Sequence, residues 1–224
     1  KDVWEEWRVP VLAVAGNHEP YGSRRFQKHL AEEKERIDAA RRRGIDIDVL
    51  RCAERVIGDT RVIGATLWTD MRLFPDDAAF VELTVKDRMN DYRAIRWHDA
   101  GRDIYRRLIP LDTIAMHHAE RQYIESRLAE PFSGRTVVMT HHLPIAELLP
   151  FKRRSSRFPV SAAYASDLWS IWREYPIDAW IYGHSHEPQD RTMPGKFGPV
   201  RFLSNMRGYP HDQCVLDPLR VLDV

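Results

Sequence analysis

Val11-Leu12-Ala13-Val14-Ala15-Gly16-Asn17-His18-Glu19 begins with five apolar residues and ends in a glycine and three polar ones. Pro10 precedes the run, and neither proline nor glycine interrupts residues 11–15. Such a short apolar segment reads as a strand covered on both faces. Its C-terminal end then carries Asn17 and His18 to the rim where α/β sheets bind ligands. The same arrangement occurs twice more. Thr136 to Met139 leads into Thr140-His141-His142-Leu143-Pro144, and Ile177 to Tyr182 leads into Gly183-His184-Ser185-His186. Three strand ends thus deliver histidine, and one adds an asparagine, which is a way for an α/β protein to build a metal site.

Around these strands the chain alternates helix and strand. Ser23 can cap a helix running to about Arg43, stopped by Gly44. Phe26, Leu30, Ile37 and Ala40 form its apolar stripe. Ile45, Ile47 and Val49 alternate with Asp46 and Asp48, the pattern of a half-buried strand. Gly58-Asp59 suits a hairpin turn before a strand at Arg61 to Leu67. Residues 70–110 lack a clean period and read as a long excursion, with short helices expected around Met89 to Trp97 and Arg102 to Leu108. A helix from about Thr113 to Ala129 ends before Pro131. A polar, basic loop spans Phe151 to Phe158, and Ser166 caps a short helix to about Tyr175. Further strands are expected at Val200 to Ser204, at Val215 and at Val221 to Val224. The class is therefore α/β with a mixed sheet, in a single domain over residues 1–224.

The bulk numbers set outer limits. With 224 residues the chain can enclose a sizeable core, and 43% hydrophobic with 30% charged is ordinary for a globular protein. No apolar run approaches the ~20 residues of a membrane span, so no membrane association is expected. A net charge of +1 does not suggest a general nucleic-acid coat. Two cysteines, Cys52 and Cys214, fit a reducing cytosol without a disulfide, and a cytoplasmic location is expected. Trp68, Trp97, Trp169, Trp172 and Trp180 sit among apolar neighbours and are expected in the core, with Trp4 and Trp7 over an edge.

Paired imidazoles on a sharp turn can face neighbouring metal ions. They suit zinc, iron, nickel or copper and tolerate manganese when carboxylates share the site. One of His141 and His142 would be a ligand, and the other would touch substrate or pack. An asparagine side-chain oxygen is a neutral ligand, and a histidine beside it can reach a bound phosphate.

Asn17-His18-Glu19, Thr140-His141-His142 and Gly183-His184-Ser185-His186, in this order and strand context, resemble the calcineurin-like metallophosphoesterases. Thr66-Leu67-Trp68-Thr69-Asp70, Met89-Asn90-Asp91-Tyr92-Arg93 and Asn205-Met206-Arg207-Gly208-Tyr209 are similar to a bacterial branch of that family. The resemblance runs from Pro10 to the end. It implies two packed mixed β-sheets flanked by helices, with two divalent ions (manganese, iron, zinc or nickel) at their edge. It implies Asn17, His141 and His184 as ligands of one metal, His186 as a ligand of the other, and His18 as the group that steadies phosphoryl oxygens or protonates the leaving group. His142, Arg207 and Asn90 are expected to contact substrate. The implied activity is metal-dependent hydrolysis of phosphate mono- or diesters, with a small phosphoester as partner.

The family pattern also begins with Asp-x-His and Gly-Asp strand ends, and neither occurs before Asn17. As written, one metal keeps three ligands and the other one. Three accounts stay open: a native N-terminal segment with missing strands, ligands supplied by another chain of a homo-oligomer, or a non-catalytic scaffold. A nuclease is the remaining alternative, not favoured by the charge. His117-His118 reads as an exposed or partly packed helix pair, and Lys152-Arg153-Arg154 as a substrate-facing or mobile basic loop.

Overall fold

The computed structural model describes residues 9–22, 25–210, 212, 216–217 and 220–222. The cap expected at Ser23, Trp4, Trp7, Cys214 and the strand residues Val215, Asp223 and Val224 lie outside the described residues. Cys52 forms no disulfide among the described residues.

A six-stranded mixed sheet is the frame, built from β3 (Ala53–Ile57), β4 (Thr60–Ala65), β7 (Arg135–Thr140), β8 (Ala179–Ile181), β9 (Gln189–Gly195) and β10 (Gly198–Ser204). Its order is β3-β4-β7-β8-β10-β9. The four inner strands run parallel and the two edges antiparallel. A separate parallel pair joins β1 (Val11–Ala13) to β2 (Ile47–Val49).

Side-chain alternation explains the layering. Ile63, Val138, Trp180 and Phe202 face helices α4 (Pro110–Ala129) and α5 (Trp169–Glu174), packing with Ile124, Leu128, Ile171 and Trp172. Val62, Val137 and Ala179 face the other way and pack with Leu12, Val14 and Leu50 of the β1–β2 layer. Gly64 shares that second face with Val62, and glycine is required there because a Cβ would sit 2.3 Å from Leu50 Cβ. Each large apolar side chain fully buried contributes ~1.5–3 kcal/mol, against ~0–1 for an exposed ion pair, so the two packed faces hold the fold.

Residues 70–110 form their own small core. Helix α2 (Ala78–Arg88) and the turn α3 (Asp91–Ala94) bury Val81, Val85 and Tyr92 against Phe26, Trp68 and Leu108. Phe26 opens helix α1 (Phe26–Arg42). Several expectations change here. Arg102 to Leu108 is not helical, since β6 (Ile104–Arg107) pairs with β5 (Arg96–Asp99) as a hairpin. Arg106 fixes it by reaching both Asp99 at 3.2 Å and Asp112 at 2.6 Å. Helix α2 carries no clean period because its apolar residues are not confined to one side: Phe80 and Leu83 are 61% and 68% exposed while Val81 and Val85 are buried. Strand β9 has no apolar signature because it is a polar edge strand, with Pro194 opposite Pro199. Helix α4 starts three residues earlier than expected, with Pro110 in its first turn and Asp112 accepting the Ile109 N–H at 2.9 Å. His117 is fully buried, its Nδ1 on the Trp68 carbonyl, while His118 is exposed. Trp169 is 39% exposed, not core, and lies under the Arg173 guanidinium.

Two predictions follow from this packing. Gly64→Ala should cost about 2 kcal/mol by forcing the β1–β2 layer outward, read as a lowered Tm. Glu120 accepts the Trp68 N–H at 2.9 Å, and burial pushes its carboxyl up to about 7 from an ordinary 4.5. The folded state then holds a proton that the unfolded chain releases, so this group's contribution to stability is full below pH 4.5 and falls as pH rises towards 7. Glu120→Gln keeps the acceptor and removes the charge. It should raise stability by roughly 2 kcal/mol at pH 8 and change it little at pH 4.5, measured by urea melts. An equal effect at both pH values would show that the charge is not the cause.

Candidate metal centre

The three motif loops leave the C-terminal ends of β1, β7 and β8, and backbone bonds bind them together. Thr66, just past β4, donates its hydroxyl to the Ala15 carbonyl at 2.8 Å. Its own carbonyl accepts the His141 and His142 N–H groups at 3.1 and 3.2 Å. The Gly183 N–H then reaches the His141 carbonyl at 3.0 Å. Side chains on these loops have little freedom to move apart.

They converge. His141 Nε2 lies 2.9 Å from Asn17 Oδ1 and 3.1 Å from His184 Nδ1. Donors bound at ~2.1 Å to one ion stand about 3.0–3.4 Å apart at tetrahedral or octahedral angles, so these separations fit a shared metal. Asn17 is held in the required sense because its Nδ2 donates to Asp91 Oδ1 at 2.8 Å, which turns Oδ1 towards the histidines. Asp91 is 2% exposed. Burial pushes its carboxyl up, and the Asn17 amide and Tyr21 hydroxyl pull against that.

The imidazoles are neutral at neutral pH, as ligands must be. Burial lowers His141 to about 3, and burial with mutual repulsion sets His142 and His184 well below the ordinary range. His184 Nε2 is buried with no hydrogen-bond partner among the described residues. Gly16 completes the cradle, since a Cβ there would meet the His141 ring at 2.5 Å. His184 and His186 both adopt left-handed backbone, with φ of 68° and 55°. Strain of this kind, of order 1 kcal/mol or more per residue, clusters at functional turns. The nitrogens of His141, His142 and His184 lie within 4.8 Å of one another, so this triad can bind a metal ion.

His186 stands across the pocket with a different partner. Its Nδ1 is 2.7 Å from Asp212 Oδ2, an arrangement that leaves Nε2 of the neutral ring with a lone pair. Asp212 also accepts the Tyr209 N–H at 2.6 Å. The structure therefore brings Asp212 to the site, although its sequence context carried no signal for this.

A cavity of about 990 Å³ opens over these groups, and its walls include Asn17, His18, His141, His184, His186 and Asn90. His18 is exposed there, its ring 4.4 Å from that of Tyr21 and its Nε2 3.1 Å from the Tyr209 hydroxyl. Two expected substrate contacts are not on this wall. His142 is 2% exposed and donates from Nδ1 to the Thr66 carbonyl at 3.3 Å, behind His184. Arg207 is exposed outside the cavity, whereas Tyr209, two residues on, lines it. Arg88, Arg153 and Arg191 supply the cationic wall. Arg153 comes from the basic loop expected to face substrate, whereas Arg88 ends an unperiodic helix and Arg191 lies on an edge strand, where local pattern carries no signal for this place.

No protein-family model matches the chain. It is 21% identical over 219 residues to an uncharacterized protein of Acanthamoeba polyphaga mimivirus, a match covering 96% of this chain and 73% of that one. Its fold is similar to the crystal structure of a phosphopantetheinyl hydrolase from Mycobacterium tuberculosis, with a TM-score of 0.53 and 17% identity. That match covers 87% of this chain and 68% of the other, and shows a shared mixed α/β fold.

Gly16→Ala should push the His141 ring off its position. We expect metal affinity to fall at least tenfold with the fold intact, read by equilibrium dialysis against Zn²⁺ or Mn²⁺ alongside circular dichroism. Unchanged affinity would mean that His141 is not a ligand.

Proposed function

We propose that this chain is a metal-dependent phosphoesterase of the calcineurin-like type. The observation that carries the reading is the convergence of Asn17 Oδ1, His141 Nε2 and His184 Nδ1 at three strand ends, opposite His186 with its Asp212 partner. The fold shared with a phosphopantetheinyl hydrolase supports it, as that protein is a hydrolase of a phosphate-bearing group. On this reading the β1–β2 layer and the six-stranded sheet correspond to the family's two packed sheets.

Asn17, His141 and His184 would hold one divalent ion, manganese among the candidates, and His186 with Asp212 would contribute to a second. Bound ions would supply Lewis acidity and a water acidified to near neutral pH. The chain's own side chains do the rest. Asp91 fixes Asn17. Arg88, Arg153 and Arg191 draw a phosphoester into the cavity and offset its charge. His18, exposed at the mouth and hydrogen-bonded to Tyr209, is placed to donate a proton to the leaving oxygen. Asn90 at the rim is placed to orient substrate.

Protein purified without chelator should carry two ions per chain by elemental analysis and hydrolyse bis(4-nitrophenyl) phosphate. His184→Ala and Asn17→Ala should each lower kcat at least 100-fold (roughly 3 kcal/mol of barrier) with the fold retained. Turnover that survives both substitutions would overturn the assignment. A folded protein that binds no metal would instead be a non-catalytic scaffold.

A further inference from the structure

Arg88, Arg153 and Tyr164 line the metal pocket, and they also line a second cavity of about 890 Å³. This groove lies between helix α2 and the segment 152–164. Among its described lining residues are Arg88, Lys152, Arg153 and Arg157, and none is a carboxylate. Two large rings, Phe80 and Phe158, line it while staying 61% and 47% exposed.

The basic segment is braced, not loose. Arg154 is turned inward, donating from Nε to the Leu149 carbonyl at 2.9 Å and from Nη2 to the Glu147 carbonyl at 2.5 Å. Ala162 and Ala163 pack with Val81 and Val85 of α2. The junction between the cavities is equally ordered. The Arg153 guanidinium lies 5.4 Å from the centre of the Tyr164 ring, and that ring lies 4.4 Å from the ring of His184. A group leaving the metal centre past Tyr164 would enter the groove directly.

Lys152, Arg153 and Arg157 crowd one wall and repel one another, which an anion in the groove would relieve, while Arg88 on the facing helix lies 3.5 Å from Asp87. Exposed rings beside the cations offer a surface for a flat moiety, at ~1–3 kcal/mol per stacked ring. A phosphate ion alone cannot span both cavities.

We infer that this groove is the leaving-group subsite, and that it takes a small organic phosphoester carrying a second phosphate and a flat ring beyond the scissile group. The substrate class rests on the phosphoesterase reading, but the binding of a phosphorylated, ring-bearing ligand does not.

The test is calorimetric titration with ADP, phenyl phosphate and inorganic phosphate, in excess EDTA and low salt. ADP should bind at least tenfold more tightly than inorganic phosphate, with phenyl phosphate between them. The Lys152→Ala/Arg157→Ala double variant should cut the ADP preference about tenfold. Phe158→Ala should reduce the preference for phenyl phosphate. An Arg42→Ala/Arg43→Ala variant carries the same charge change at the C-terminal end of α1 and controls for the overall field. ADP binding no tighter than phosphate, or a preference that the groove variants leave alone or the control lowers equally, would overturn the inference. Because the titration needs no metal, an inactive, metal-free protein would remove the phosphoesterase reading while the groove still stood or fell on these ratios.

Discussion

The carbonyl of Thr66 is the point on which the site depends. It accepts two backbone N–H groups and the Nδ1–H of His142, and the same residue's hydroxyl holds the end of β1. One residue thereby fixes the loops after β1, β4 and β7 relative to each other, and the Gly183 N–H adds the loop after β8. Separate strands that merely ended near one another would leave three flexible loops, and imidazoles on such loops would spread apart and find water. Here the backbone closes first, and the side chains are obliged to meet.

That closure has an electrostatic consequence. Packing His141, His142 and His184 with ring centres 4.4–5.0 Å apart buries His142 and leaves His141 and His184 only partly exposed, on the cavity wall. Each protonated form would be penalised by burial and by its neighbours, so the cluster is neutral and rich in lone pairs. A carboxylate is brought close as well, but one step removed: Asp91 reaches the cluster only through Asn17. Its oxygen accepts the Asn17 amide N–H and so orients the amide oxygen, instead of pairing with an imidazolium. Neutral donors gathered at this spacing are able to take a divalent cation.

Much of this was legible in the chain because strand ends were marked by short range. Val11 to Ala15, Thr136 to Met139 and Ile177 to Tyr182 are apolar runs closed by glycine or histidine, and the structure places Asn17, His141, His184 and His186 around one cavity. What stayed hidden depends on distant partners. Nothing local distinguishes Asp212 from other surface aspartates until it meets His186, 26 residues earlier in the chain. Thr66 looks like an ordinary strand-end threonine until the β7 loop arrives. Helix α2 lacks a one-sided apolar pattern because one side packs on its small core while Phe80 lines a groove. His142 illustrates the reverse problem. Two adjacent histidines cannot both point the same way from an extended end, and sequence does not say which one turns inward.

Net charge is the quantity most open to misreading here. The balance of 34 basic against 33 acidic residues suggests an electrically bland molecule. Several carboxylates, however, are spent locally: Asp46 and Asp48 on Arg55, Glu54 on Arg127, Glu33 on Arg51, Asp112 on Arg106 and Asp190 on Arg201. Such pairs are worth little to stability individually. Their larger effect is on the field, because they cancel charge across the outer surface, whereas no carboxylate among the described residues lines the groove with Lys152 and Arg157. A potential of one sign in a cleft with low-dielectric walls acts on ligands at a distance that a sum over the whole chain does not reveal. The near-neutral total and the cationic groove are therefore two results of the same pairing. The attraction of this protein for anions has to be judged at the groove.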